Sequence, residues 1–339
     1  MKQYLILVLC IIYLSPGITQ NNYSIEIIHQ GVNTSLRGLS VVKDSVIWVS
    51  GSDGYVGRSI DAGKTWNFQK IHPYDSAEFR DIEAIDAQTA IVMSSVEPSC
   101  ILKTTDGGNT WKEVFRNNDP AMFLDAIDFY NNSGICLGDP MHGRFYLMKT
   151  NDLGDTWTVL KTRRKSADSI AAFAASGSVI QFIDEKTIVF ATGGKYANIY
   201  ISKNRGKRWK EINTPIIAGQ ASQGIFSIDF KGNAGIIAGG NYLEPNNEEK
   251  SLFMANDILQ TRNIWKNYSV NSIGYSSCAK LYQNLILTCG TSGINLIDPI
   301  LNNTTKLSEE NFNVIGISED EKTVYFAGNN GKIVRLVIN

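Results

Sequence analysis

Two arginines and two aspartates stand at the starts of short apolar segments and are the side chains best suited to hold a ligand. Arg37 in Leu-Arg-Gly-Leu and Arg80 in Phe-Arg-Asp-Ile occupy the same position of adjacent units. Asp81 and Asp125 form the next register along. Because guanidinium groups bind carboxylates through paired hydrogen bonds, this set predicts a site for an anionic or sugar-like ligand. A structural charge network that closes a central channel is the alternative interpretation.

Further candidate binding residues lie in irregular polar loops. They are Asp139, His142, Arg144, Tyr242 and Glu244. His142 is the most site-like of the three histidines because Asp139 and Arg144 lie beside it, although a single loop histidine is usually only solvated. The sequence has no cluster with metal-ligand spacing, so we predict no catalytic residue, no metal and no cofactor.

The elements that must position these residues are marked by four near-copies of one pattern, which we call boxes. Each box has Ser or Thr, then Asp or Asn two residues later, Gly four later and Trp seven later. Such a pattern is typical of a tight turn, in which the carboxylate or amide accepts backbone N–H groups, glycine takes a positive φ and tryptophan packs between units. The structural box residues are Asp61, Gly63, Trp66, Asp106, Gly108, Trp111, Asp152, Gly154, Trp157, Asn204, Gly206 and Trp209.

The spacing of the boxes predicts the fold. They recur every 45 to 52 residues, which is the length of a four-stranded propeller blade. Seven segments read as the first strands of blades, and they run from Leu36 to Val42, Phe79 to Ile85, Phe123 to Phe129, Ile170 to Ser176, Gly224 to Phe230, Tyr275 to Leu281 and Val314 to Ser318. We therefore predict an all-β fold, a seven-bladed β-propeller of four-stranded antiparallel blades.

The last blade lacks one strand, and the beginning of the chain offers it. The segment from Ser24 to Ile28 has the composition of a strand and precedes the first blade. We predict that this N-terminal strand joins the C-terminal blade and closes the ring, because the pairing covers two exposed edges at once. No linker interrupts the repeats, so residues 21–339 are expected to form a single domain.

The bulk composition and the first residues limit the function classes. The 339 residues carry a net charge of −1, which supplies no electrostatic drive toward nucleic acid. Residues 1–20 combine a lysine, an apolar run and a small-residue end, and this pattern predicts a cleaved signal peptide. The expected location is therefore secreted or periplasmic, with no integral membrane span after the signal is removed.

The cysteine pattern excludes some redox and zinc classes. No CxxC pair is present, so zinc-ribbon and thioredoxin-like interpretations fail. Cys278 and Cys289 would face each other across a hairpin. A disulfide between them and two buried free thiols are both compatible with the sequence.

The boxes resemble the Asp-box of the bacterial neuraminidase repeat, and most of the chain resembles the propeller family of photosystem II assembly and stability factors, in its non-photosynthetic bacterial relatives. Beside the boxes, the phrases that carry this resemblance begin at Phe79, Phe123, Gly138, Ala172 and Gly224. The resemblance implies a non-catalytic, extracytoplasmic binding or assembly role. We therefore predict a scaffold that binds a protein partner, or a glycan as the alternative ligand, through the loop face opposite the boxes. We further expect a monomer with no nucleic-acid partner.

A glycoside hydrolase is the alternative function, because the boxes resemble a sialidase repeat. The early Arg-Ile-Pro motif of sialidases is absent, and the partners that Tyr275 would need as a nucleophile are missing. Other glycosidases use paired carboxylates, for which Asp81, Asp125 and Glu244 are the candidates. Finding these three dispersed would favour binding over catalysis. The oxidoreductase name of some relatives has no dinucleotide, haem or metal motif to support it here.

Overall fold

The computed structural model of the protein describes residues 23–96, 98–161, 166, 169–259, 265–268 and 273–338. The expected signal peptide lies outside these residues. Regular structure within them is β-strand, apart from one turn of 3-10 helix at Asn329–Gly331. Within the same residues, no helix has the length and apolar character needed to cross a membrane.

The strands form where short runs of β-branched and aromatic residues are bounded by tight turns. In chain order, β1 to β30 are Tyr23–His29, Leu36–Val42, Val46–Gly51, Tyr55–Ser59, Asn67–Lys70, Phe79–Ala84, Ala90–Ser94, Ser99–Thr104, Lys112–Asn117, Leu124–Tyr130, Ser133–Met141, Arg144–Thr150, Thr158–Val159, Ile170–Ala171, Ile180–Phe182, Ile188–Ala191, Gly193–Gly194, Asn198–Ser202, Lys210–Asn213, Gln220–Lys231, Ala234–Asn241, Leu252–Ala255, Trp265–Asn267, Cys278–Tyr282, Leu285–Gly290, Gly293–Asp298, Asn303–Ser308, Phe312–Ile317, Val324–Gly328 and Ile333–Ile338.

These strands build seven antiparallel sheets, which confirms the predicted seven-bladed all-β propeller. Blades one, two, three and six are β2 to β5, β6 to β9, β10 to β13 and β24 to β27. Blade four is β15, β16, β18 and β19, and blade five is β20 to β23 with the short strands β14 and β17 added at its inner edge. Blade seven is β28 to β30 together with β1.

The N-terminal strand closes the ring as predicted. β1 pairs with β30 in antiparallel register, with Tyr23 opposite Ile338 and Ile27 opposite Val334. On the outer surface, Glu26 and Arg335 form an ion pair at 2.6 Å. The outer edge of blade seven is therefore occupied by the first strand of the chain.

The boxes form four turns that share one hydrogen-bond pattern. In the first box, Thr65 N donates to Asp61 Oδ1 and Gly63 N donates to Ser59 Oγ, both at 2.9 Å. Trp66 Nε1 donates back to the Gly63 carbonyl at 3.1 Å. The other three boxes repeat the two turn bonds. All four turns join the third and fourth strands of a blade, so they share one face, the box face, and the inner strands start at the opposite, upper face.

The predicted start of blade four is wrong. We expected a strand from Ile170 to Ser176, but only Ile170–Ala171 is a strand, and it pairs with β17. The inner strand of blade four is Ile180–Phe182. Residues 172–178, which we call the plug, cross the central channel instead. Their alanines, serines and glycine offer too little apolar surface to hold a strand against the neighbouring blades.

Polar contacts fix the plug to distant blades. Ser176 Oγ donates to the carbonyl of Ser277 in blade six at 2.8 Å, and Ser178 Oγ bonds Ser227 Oγ in blade five at 2.8 Å. The backbone of Ser178 accepts from Ile228 N at 2.8 Å. The plug therefore divides the channel into an upper and a lower chamber.

Side chains join the inner strands of neighbouring blades at every junction of the ring. An inner strand is the edge of its own sheet, so backbone groups that face the next blade need partners from outside that sheet. The bonds are Ala84 N to Ser40 Oγ, Ile127 N to Asp81 Oδ2, Phe182 N to Asp128 Oδ2, Phe230 N to Gln181 Oε1, Leu281 N to Asp229 Oδ2, Ser277 Oγ to the Asn313 carbonyl and Asn313 Nδ2 to the Leu36 carbonyl.

The packing of the plug predicts an unequal cost for two glycine substitutions. Gly177 has φ 72°, and a Cβ there would lie 2.2 Å from Asp81 Oδ1. We expect Gly177→Ala to lower the free energy of unfolding by about 3 kcal/mol, through strain and displacement of the carboxylate. Gly232 has φ 62° with no atom within 4 Å of the added Cβ, so Gly232→Ala should cost only about 1 kcal/mol. Denaturant unfolding measures both, and equal losses would contradict the described plug packing.

Candidate functional site

A β-bulge interrupts the inner strand in five blades, at the second residue of the strand in four of them and at the seventh in blade five. The pairing register shifts at Arg37, Arg80, Asp125, Phe226 and Asn313. A bulge leaves one residue unpaired and re-aims its side chain. Four of the five side chains line one cavity at the upper end of the channel, so the bulges position the site.

This mouth cavity has a volume of about 500 Å³ and is lined by six of the seven blades together with the plug, which precedes blade four. The plug and the residue before it form its floor, over residues 171–175. The other lining residues are Arg37, Arg80, Phe123, Asp139, Phe226, Tyr242, Tyr275, Ser277, Thr291, Asn311, Asn313 and Asn329. The structure thus brings together four of the sequence-predicted candidates, Arg37, Arg80, Asp139 and Tyr242.

The two arginines form the basic side of the cavity. Arg80 Nη1 donates to the carbonyl of Ala174 at 3.2 Å, and Arg37 Nη1 donates to the carbonyl of Ala175 at 3.5 Å. Arg80 Nε lies 3.3 Å from Glu78 Oε2. Burial and the neighbouring charge of Arg80 lower the pKa of Arg37. Because two like charges lie close together over backbone carbonyls, this side of the cavity attracts anions.

Aromatic rings form another wall of the cavity. Phe173 of the plug stacks on Phe226 with ring centroids 3.9 Å apart. Tyr275 and Tyr242 meet Phe226 edge to face at 4.9 Å and 6.1 Å. Gly193 provides the space for Phe173, since a Cβ there would lie 2.2 Å from the phenyl ring. The cavity therefore offers apolar surface beside its charged groups.

Two carboxyl groups lie near the arginines in different environments. Asp139 Oδ1 accepts from Ala172 N at 2.9 Å, and burial raises the pKa of Asp139 to about 6. Asp125 is fully buried, and neither carboxyl oxygen has a hydrogen-bond partner among the described residues. Burial and the nearby Asp139 raise the pKa of Asp125 well above its usual range. Burial thus favours the neutral form of Asp125, whereas Asp139 is the carboxyl group that lines the cavity.

The expected shared register of Asp81 and Asp125 is not found. Asp125 occupies the bulge position of Arg37 and Arg80, whereas Asp81 comes one residue later. The reason is that the third inner strand begins at Leu124, one residue after the predicted start. Asp81 accepts from the backbone N–H groups of residues 82 and 127, at 2.8 Å and 2.7 Å, and belongs to the ring of junction bonds.

The remaining sequence candidates lie outside the lining of the mouth cavity. His142 and Arg144 are exposed at the turn between β11 and β12, where His142 has φ 51°. Glu244 is exposed in the loop after β21. Asp81 and Asp125 are buried, so these two and Glu244 share no solvent-filled pocket. This dispersed arrangement favours binding over a paired-carboxylate glycosidase.

Cys278 and Cys289 face each other as directly opposed partners in blade six. Both are fully buried and stand as free thiols, the second of the two alternatives that the sequence leaves open. Ser178 of the plug donates to Cys278 Sγ at 3.8 Å. Over the described ranges, no group of three or more His, Cys, Asp and Glu side chains could hold a metal ion.

Of the aromatic wall, Tyr242 was predicted from the sequence as a binding residue, whereas Phe173 and Phe226 were missed, together with the amide groups of the cavity. One sequence pattern could have found Phe226 and Asn313. Like the two arginines, each directly follows a large apolar residue, which is Ile225 or Phe312 here, and each is the bulge residue of its strand. Phe173 has no such pattern. It lies in the segment that we predicted as the first strand of blade four, and that segment forms the plug instead.

Below the plug, buried carboxyl groups gather near one lysine. Lys280 Nζ lies 3.3 Å from Asp229 Oδ1 and also interacts with Asp81, Glu83 and Asp128. Burial raises the pKa of Asp81 to about 7, although two backbone N–H groups bond its carboxylate. Burial likewise raises the pKa of Asp128 to about 7. Asp81, Asp128 and Asp229 of this lower cluster accept junction bonds of the ring.

The chain shows similarity to a known family in part of its length. Residues 96–214, from the second to the fourth blade, match the family model described as photosynthesis system II assembly factor YCF48. No curated protein matches the chain. The matched segment includes Asp139, the plug and the boxes that end in Trp111, Trp157 and Trp209.

Solved structures of similar fold cover nearly the whole chain. A structure titled YCF48 bound to D1 peptide has a TM-score of 0.64 at 14% identity, over 96% of this chain and 97% of that chain. YCF48 from Cyanidioschyzon merolae has a TM-score of 0.63 at 13% identity, over 92% and 98%. The Pan2 WD40 domain of Neurospora crassa has a TM-score of 0.62 at 14% identity, over 89% of each chain. With the family match, these structures confirm the resemblance to a photosystem II assembly factor-like propeller.

The raised pKa values of the lower cluster predict a stability that falls as the pH rises from about 4 to about 7, because the folded chain then binds more protons than the unfolded chain. Asp128→Asn keeps an oxygen acceptor for Phe182 N and removes one titrating group. We expect this variant to lose less unfolding free energy than the wild type between about pH 5 and about pH 8, by about 2 kcal/mol.

Urea unfolding of both proteins at the two pH values measures this difference. Burial lowers the pKa of His29, which acts on stability in the opposite direction, and comparing the two proteins cancels its contribution. Parallel pH profiles for the wild type and Asp128→Asn would show that the Asp128 carboxyl does not titrate in this window.

Proposed function

We propose that this photosystem II assembly factor-like propeller is an exported, non-catalytic scaffold that binds a protein partner through its upper face. The observation that carries the proposal is the mouth cavity together with its exposed apolar rim. Tyr242 lines the cavity and keeps 45% of its surface exposed, and the adjacent Leu243 is 71% exposed. Exposed apolar groups next to a concave site are typical of protein interaction surfaces.

The architecture supports a binding role. Seven packed blades hold the upper loops on a rigid ring, and function is commonly mounted on such loops. One structurally similar protein, YCF48, is bound to a D1 peptide in its solved structure, so a propeller of similar fold can bind a polypeptide. Residues 1–20 have the pattern of a signal peptide and support export as part of the same proposal.

The proposal predicts that binding depends on one face only. In affinity capture from the native envelope, we expect the double variant Tyr242→Ser/Leu243→Ser to lose the partner. Removing apolar contacts at the centre of an interface typically costs about 2 kcal/mol or more, which is roughly thirtyfold in affinity. Quantitative mass spectrometry of the captured proteins, relative to wild type, measures the loss.

A matched control lies on the opposite face. Ile300 and Leu301 are 79% and 68% exposed at a turn on the box face. The double variant Ile300→Ser/Leu301→Ser should retain the partner. Loss of capture in this control alone would overturn the assignment of the upper face, and failure to capture any specific partner would overturn the scaffold proposal.

A further inference from the structure

The two guanidinium groups of the mouth cavity share one partly exposed carboxylate, Glu78, which pairs with Arg80 and leaves Arg37 without an ion-pair partner among the described residues. Arg80 lies near Glu78, but the Glu78 side chain keeps 33% of its surface in water. Among the described residues, Arg37 bonds the carbonyl of Ala175 and forms no ion pair with a carboxylate. Two partly desolvated like charges are unfavourable unless an anion joins them. A planar carboxylate satisfies such a pair through two parallel hydrogen bonds.

The cavity also has hydrogen-bond acceptors that need a donor. The side-chain oxygen of Asn311 is buried and has no partner in the described part of the chain. Leaving such a group unpaired costs free energy, so a ligand that offers a hydroxyl is favoured here. Asp139 supplies another acceptor, because only one of its carboxyl oxygens is bonded, to Ala172 N. The cavity therefore selects for hydroxyl groups as well as for negative charge.

The shape of the cavity limits the size of the ligand. Its volume of about 500 Å³ lies in the range of small-molecule sites. The plug closes it from below, so a continuous polypeptide cannot pass through the channel. Phe173 lines the floor of the cavity and is only half-buried, so it supplies apolar surface on which the C–H face of a sugar ring can pack.

We propose that the mouth cavity binds an acidic monosaccharide of the uronic acid class. The carboxylate lies between Arg37 and Arg80, the hydroxyl groups donate to Asn311 and Asp139, and one face of the pyranose packs on Phe173. This ligand occupies the deep cavity rather than the exposed rim of Tyr242 and Leu243. The sugar site and the protein-binding proposal can therefore fail separately.

Isothermal titration calorimetry of the purified protein with four small molecules tests this site. D-Glucuronate and D-galacturonate are the probes, D-glucose is the control without the carboxylate, and acetate is the control without the sugar. We expect at least one uronate to bind about tenfold or more tightly than glucose and acetate, since a charge-assisted hydrogen bond contributes about 1.5 to 3 kcal/mol.

Variants assign the binding to named residues. Arg37→Gln and Arg80→Gln should each weaken uronate binding by about tenfold or more. Arg144→Gln is the control, because Arg144 is exposed on the same face outside the cavity. Where a glutamine variant lowers the melting temperature, the corresponding lysine variant keeps the charge but not the paired bonds, and it should weaken binding in a folded protein. Asn311→Leu should weaken uronate binding and leave acetate unaffected.

Four outcomes would overturn the proposal. Equal binding of acetate and uronates would reduce the site to a general anion pocket, and equal binding of glucose would show that the arginines are not used. Uronate binding that survives both Arg37→Gln and Arg80→Gln would place the sugar elsewhere. Binding of a peptide with a free terminal carboxylate, but not of its amidated form or of any uronate, would assign the cavity to a chain end.

Discussion

The whole structure depends on the hydrogen bonds that join the inner strands of adjacent blades. Each sheet is complete in itself, yet its innermost edge faces the neighbouring blade with backbone groups that would otherwise lack partners. Serine, aspartate, glutamine and asparagine side chains bridge these edges at all seven junctions. The bridges fix the angle between blades, and the packed aromatic and aliphatic side chains between the sheets then follow that angle.

The ring also explains where ligand chemistry can occur. Polar side chains on the lower part of the inner strands are used for blade junctions, as Asp81 shows. At the bulges, nearer the upper face, Arg37, Arg80 and Phe226 turn into the channel instead, and Asn313 both lines the cavity and makes a junction bond. Arg37 and Arg80 differ from Asp81 in this respect, although they lie one residue away in register. The plug separates the two regions, with a charge network below it and an accessible cavity above it.

The fold could be predicted from the sequence because the same turn pattern recurs four times at the spacing of one blade. Each box requires the same turn, and spacing alone gives the number of strands between boxes. The closing strand was predictable because one blade was a strand short. Blade four shows the limit of this reasoning, because most of its predicted first strand crosses the channel as the plug and the inner strand begins only at Ile180. Whether this segment forms a strand or crosses the channel depends on hydrogen-bond partners such as Ser227 and Ser277, which are remote in sequence.

The site was only partly predictable for a related reason. Arg37 and Arg80 are recognisable because arginine is unusual at the start of a buried strand. Phe226 and Asn313 reach the same cavity from equivalent positions, but phenylalanine and asparagine are unremarkable there. Asp125 follows the arginine pattern and yet is fully buried, with the charges of Asp139 and Arg80 close enough to act on it. A position at a bulge therefore determines the direction in which a side chain points, whereas the exposure of that side chain depends on the residues around it.

The pairing of the first strand with the last has a topological consequence. Tyr23 and Ile338 are cross-strand neighbours, so both ends of the described chain meet at one point on the rim. A short peptide could connect them without disturbing any ladder, and the backbone could then be cut between two other blades. The order of the blades around the ring would be preserved, so we expect a circularly permuted chain to form the same propeller.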